Sequence, residues 1–195
     1  MTTATFPAAP ARPSPHKLLG LVGVLAAPVF LAQRILAPSG DQLPNDRLAA
    51  WLGLWYLVGW ACSALALRRD RATGRGVGAA AIFGVQLVGL TLAAGQQLQD
   101  AVQARPLGDT VYGACDVAWP LSHVFMLVVG VAVLRARVWT GWRRWTPLAC
   151  GLALPLSFAA QAAAGRYGLL VAFPIFTTLA FSALGVAVMT SRDVA

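Results

Sequence analysis

Gln33, Arg34, Gln96, Asp116, His123 and Gln161 are the side chains of this sequence best suited to chemistry or binding. Each stands within or beside a long apolar run. Glutamine amides offer a donor and an acceptor together, and a guanidinium holds an anionic group. His123 is the sharpest of the set, because an imidazole exchanges protons near neutral pH. Asp116 stands seven residues before it, a spacing that returns to the same helix face. His123 and Asp116 are therefore the catalytic candidates, with Ser122 as an adjacent hydroxyl. A histidine at that depth needs a hydrogen-bond partner or a wet cavity. A backbone carbonyl freed by a proline would satisfy it as well as a substrate would.

Other chemistries find too few ligands. A bis-histidine haem needs two histidines on one side of a membrane, and the second one here, His16, lies in the N-terminal tail. Zinc hydrolases use several His and acidic ligands. Cys115, His123 and Met126 are soft enough for Cu(I), but no Met or Cys motif repeats. Cys62, Cys115 and Cys150 form no CxxC pair. No GxSxG elbow, Walker, Rossmann or EF-hand pattern occurs, and TGRGVG at 73–78 follows no strand. No metal and no cofactor are expected.

The elements that must position these residues are membrane helices. Hydrophobic residues make up 58% and charged residues 11% of the 195-residue chain, and the mean hydropathy is +0.67. Soluble domains carry about 25% charge. A hydrocarbon core of about 30 Å takes roughly 20 apolar residues per helix. Six runs meet that length: Lys17 to Leu36, Leu48 to Leu67, Val77 to Gln96, Asp116 to Leu134, Thr146 to Ala164 and Tyr167 to Met189. The expected fold is all-α, one six-helix transmembrane bundle over 17–189, with a disordered tail at 1–16 and a short tail at 190–195. The first run also has the look of a signal peptide. Its long tail, Pro28 and the lack of an A-x-A site favour retention.

Charge sets the threading. Arg68, Arg69, Arg71 and Arg75 lie between spans two and three, and Arg135, Arg137, Arg143 and Arg144 between spans four and five. The alternate loops carry Asp41, Asp46, Asp100 and Asp109. Basic loops stay in the cytoplasm, which places both termini there. The net charge of +8 thus reads as a topology signal facing anionic lipid, and nucleic acid is not an expected partner. Trp139, Trp142 and Trp145 read as interfacial anchors. Ala80 and Gly84 form a small-xxx-small pair that would let helices approach. Pro28, Pro155 and Pro174 are expected to kink their spans and leave room for a cavity.

The stretch WPLSHVFMLVVGVAVLRARVWTGWRRWTPLACGLALPL, from Trp119 onward, resembles a pattern of small uncharacterised bacterial polytopic membrane proteins. A polar Ser-His start leads to a Gly-containing apolar run, an Arg and Trp turn, and a Pro-containing helix. The resemblance implies a multi-pass protein of a bacterial cytoplasmic membrane and assigns no activity. The Arg-rich, Glu-free composition is consistent with that source.

Spans one, three and five each end on glutamine at the outer side, while the inner two thirds are almost purely apolar. An outward-facing polar vestibule would explain the asymmetry. The leading expectation is a non-enzymatic membrane protein that binds a small apolar or amphipathic ligand, or a protein partner, through it. Gln33, Arg34, Gln96, Asp116, His123 and Gln161 would line the site, and Trp51, Trp55, Trp119 and Tyr167 would wall it. The lipid bilayer, a small amphipathic ligand, a second copy or another membrane protein are the candidate partners. A small transporter is the alternative, with Gln86 and Ser182 as polar steps in the inner half. A lipid-modifying enzyme using His123 is the third reading, and a structural subunit the fourth.

Overall fold

A computed structural model describes residues 14–36, 47–102 and 108–191. Among the described residues there are seven α-helices: α1 (Pro15–Ala26), α2 (Val29–Leu36), α3 (Arg47–Arg69), α4 (Val77–Val102), α5 (Asp109–Ala136), α6 (Thr146–Ala164) and α7 (Arg166–Met189). A 3-10 turn, Gly141–Trp145, leads into α6. Among the described residues there is no strand. Six helical stretches among them are long and apolar enough to cross a membrane, as expected of an integral membrane protein.

The helix ends follow local rules. Ser14 caps α1 by accepting from the Lys17 N–H at 3.5 Å, and Pro15 opens the helix where its missing N–H costs nothing. Span one is not continuous, because a turn at Ala27 and Pro28 separates α1 from α2. Pro28 cannot donate to the carbonyl four residues back, and the Thr178 hydroxyl donates to the Ala27 carbonyl at 3.4 Å. Pro120, Pro155 and Pro174 lie inside α5, α6 and α7 without ending them. Span four begins seven residues earlier than expected, at Asp109, and span five matches Thr146–Ala164. The tails at 1–13 and 192–195 lie outside the described residues.

The helices close into a ring in chain order. α1 packs between α3 and α7, α4 between α3 and α5, and α6 between α5 and α7. Glycine sets the closest approaches, since it brings no Cβ between backbones. A Cβ on Gly23 would meet Ser63, Gly185 and Gly59, and one on Gly185 would meet the backbone of Val24 and Gly20. Gly130 and Gly151 do the same between α5 and α6. The expected Ala80 and Gly84 pair instead faces outward: Ala80 is exposed, and a Cβ on Gly84 would meet nothing within 4 Å. The outer surface is apolar, as at Val85, Val88, Leu121, Val128 and Leu179.

At the arginine-rich end a buried carboxylate ties three segments. The Trp139 indole N–H donates to Asp70 at 3.0 Å, and His16 Nδ1 lies 3.2 Å from the other Asp70 oxygen. Asp70 is 2% exposed and Trp139 5% exposed. Trp139 is therefore not the interfacial anchor its cluster suggested; Trp142 and Trp145 remain on the surface, and the Arg144 guanidinium sits over the Trp145 ring. Asp70→Ala is expected to destabilise the fold by about 1–3 kcal/mol, because it strands a buried indole donor. Asp70→Asn, which keeps an acceptor, should lose less. Thermal unfolding in detergent measures both, and equal midpoints for Asp70→Ala and wild type would contradict the tie.

Candidate functional site

His123 stands at the centre of the bundle with 0% exposure. Five aromatic rings surround it. Trp119 lies on its own helix at 4.4 Å between ring centroids, and Trp60 reaches it from α3 at 4.5 Å. Phe173 and Phe181 of α7 lie at 5.4 and 5.9 Å. Tyr56 stacks at 6.1 Å with an interplanar angle of 10°. Phe30 of α2 closes the layer against Tyr56, Trp119 and Phe173. Helical spacing produces this, since Tyr56 and Trp60 are one turn apart on α3, as are Trp119 and His123 on α5.

Both imidazole nitrogens are engaged. Nδ1 lies 3.1 Å from the Trp119 carbonyl, and Nε2 lies 3.1 Å from the Tyr56 hydroxyl. With Nδ1–H donating to the carbonyl, Nε2 accepts from the phenol, so a neutral ring is fully satisfied. The carbonyl that Pro120 frees belongs to Asp116, so the proline does not supply the partner. A general acid or base must come within about 3.2 Å of the proton it moves. The cage leaves no such approach to His123.

Asp116 is exposed, so it does not share the surroundings of His123. Gln96 is buried, and its amide donates at 3.4 Å to both Asp100 and the Tyr112 hydroxyl. Tyr112 in turn donates to Asp100 at 3.1 Å. This triangle joins α4 to α5. Gln33 is half-buried with its carbonyl oxygen unpartnered, and Gln161 is half-buried. The Arg34 side chain lies outside the described part. Among the described residues, no hydrogen bond joins any two of Gln33, Gln96, Asp116, His123 and Gln161. Of the expected walls, Trp51, Trp55 and Tyr167 are exposed, and Trp119 belongs to the cage.

The other half of the bundle holds an unsatisfied polar group. Gln86 is 3% exposed, and neither its amide nitrogen nor its oxygen has a partner. It lines a niche with Trp60, Phe83, Met126, Val129 and Leu184, and Arg68 and Thr73 also border the niche. The Trp60 indole N–H is likewise buried and unpartnered. About 20 Å³ of the niche is open to water-sized occupants, enough for one oxygen-sized group. Along α3, Arg68 lies eight residues from Trp60, roughly 12 Å at 1.5 Å per residue. The niche therefore runs from a cationic border to an amide. One wall of Trp60 faces it while the ring also packs on His123.

Gln86 was legible as a lone amide in an apolar run. The roles of Tyr56 and Tyr112 left no signal, because their partners lie 67 and 12 residues away in sequence. Among the described residues, no three His, Cys, Asp or Glu side chains gather as a metal would require. No protein-family model, curated protein or solved structure matches the chain.

Proposed function

We propose that this chain is a non-enzymatic multi-pass membrane protein that binds a small amphipathic ligand. The site is the Gln86 niche, where the ligand's hydroxyl or carbonyl meets the amide. With about 20 Å³ open, the niche admits that polar group alone, between Phe83, Met126 and Leu184. The single observation behind this reading is Gln86, buried with both polar atoms unpaired. Such a group in an apolar interior costs about 1–3 kcal/mol, and a bound oxygen would remove that cost. The outward vestibule has less support, because His123 is enclosed and Asp116 stands exposed apart from it. The cage weakens the enzyme reading in the same way.

Native mass spectrometry of protein released from nanodiscs tests the proposal. Wild type should carry a stoichiometric small molecule, and Gln86→Leu should lose it. In ligand-stripped protein Gln86→Leu should raise stability by about 1–2 kcal/mol, because leucine removes the unpaired amide at similar volume. A ligand that survives Gln86→Leu but leaves on changing Gln33 or Gln161 would return the site to the opposite end. A bare wild-type protein would sink the binding reading.

A further inference from the structure

A second concavity lies beyond the niche, separated from it by Thr73 and Ile82, which line both. It is an open groove between α4 and α5, with about 640 Å³ accessible to water-sized occupants. Small-molecule and cofactor pockets span about 300–1,000 Å³. Its walls are apolar, as at Leu127, Val128 and Val131, and Gly78 lines it on α4. Arg135 stands at one end of it.

The dimensions and charge fit one occupant. The α5 wall runs from Leu127 to Ala136. Nine residues of helix rise by roughly 14 Å, about half of a hydrocarbon core near 30 Å. The groove is thus one leaflet deep, and its charged end falls where that leaflet meets its headgroups. Arg135 is exposed and has no carboxylate partner among the described residues. The nearest loop adds charge of the same sign, since Gly74 lines the groove and Arg75 follows it. A Cβ on Gly74 would sit 3.6 Å from Ala136, so this loop abuts the end of α5. Asp70, the one described carboxylate of the loop, is already held by Trp139 and His16.

We propose that this groove is a binding site for one anionic phospholipid. An acyl chain lies along Leu127, Val128 and Val131, and the phosphate rests on Arg135 with Arg75 beside it. Zwitterionic lipid would fit the same walls but lacks the net charge that the arginines select. The site is separate from the Gln86 niche, so either proposal can fail alone.

The test uses the full chain in nanodiscs of equal phosphatidylglycerol and phosphatidylcholine, with retained lipids identified by native mass spectrometry. Wild type should keep one lipid per chain, enriched in phosphatidylglycerol. Arg135→Gln should reduce that enrichment by about fivefold or more, as expected from one basic residue at an anionic surface. Arg69→Gln removes the same charge from an exposed arginine outside the groove and should change it little. Gly78→Leu should displace the lipid without disturbing the fold, because a Cβ there would meet nothing within 4 Å. Circular dichroism checks that each variant keeps its helices. Equal retention of the two lipids would overturn the proposal. So would equal losses in Arg135→Gln and Arg69→Gln, which would show a diffuse field, or full retention in Gly78→Leu.

Discussion

His123→Ala is expected to destabilise the bundle by about 3 kcal/mol, as large-to-small changes at fully packed core sites do. Two losses combine. The cage of Tyr56, Trp60, Trp119, Phe173 and Phe181 loses the ring it packs against, and the buried Tyr56 hydroxyl loses its acceptor. Two further variants separate them. His123→Leu alone keeps volume but strands the phenol. His123→Leu with Tyr56→Phe removes both polar partners and should recover most of the loss, since replacing both ends of a buried hydrogen bond is nearly neutral. Asp116→Ala, at an exposed position, should stay within about 0.5 kcal/mol of wild type. Thermal unfolding in one detergent compares all four. Matching midpoints for His123→Ala and Asp116→Ala would show that the cage carries no stability.

Gly151→Leu is expected to have an effect at least as large, about 3 kcal/mol or more, by separating α5 from α6. A Cβ at Gly151 would fall on the backbone of Met126 and Leu127. Across the same contact, a Cβ at Gly130 would fall on the backbone of Leu148. Backbone cannot swing aside as a side chain can, so the helices must part along their length. Gly84→Leu and Gly95→Leu are the controls, because nothing lies within 4 Å of a Cβ at either site. Yield of monodisperse protein and the unfolding midpoint read the difference. A Gly151→Leu protein as stable as Gly84→Leu would mean that this close approach is dispensable.

These contrasts show which features the sequence carries on its surface. Span five is legible to the residue, because Pro147 and the Arg and Trp turn mark its start and Gly165 its end. Span one is legible as a hydrophobic length but not as two helices. Pro28 signals a kink, yet the turn also depends on Thr178, 151 residues distant. Glycines 84 and 151 look alike in sequence, and only the ring order decides which meets a neighbour. Periodicity places Asp116 and His123 on one stripe. The buried arc of α5 takes in Ser122 and His123 together, but near the helix start it covers Cys115 and Ala118 and leaves Asp116 out. Asp70 is hidden for a different reason. One carboxylate among Arg68, Arg69 and Arg71 reads as a solvated charge, and nothing local announces that Trp139 will bury it. Gln86 was visible as a costly group; the niche that makes it interesting is a property of four helices.

The tie between His16, Asp70 and Trp139 has a consequence for how the chain is made. Domains assemble as synthesis proceeds from the N-terminus. When the first two spans are in place, His16 and Asp70 have emerged, but the indole that completes the tie is some seventy residues from being translated. The early half of the protein therefore carries an unfinished joint throughout the threading of α4 and α5. Arrival of Trp139 completes it once four crossings have been threaded. A chain with one crossing inverted would present Trp139 on the wrong side of the membrane, leaving Asp70 without its donor. The joint therefore forms only when the ends of α3 and α5 lie on the same side of the bundle, and it unites residues that no single stretch of the sequence brings together.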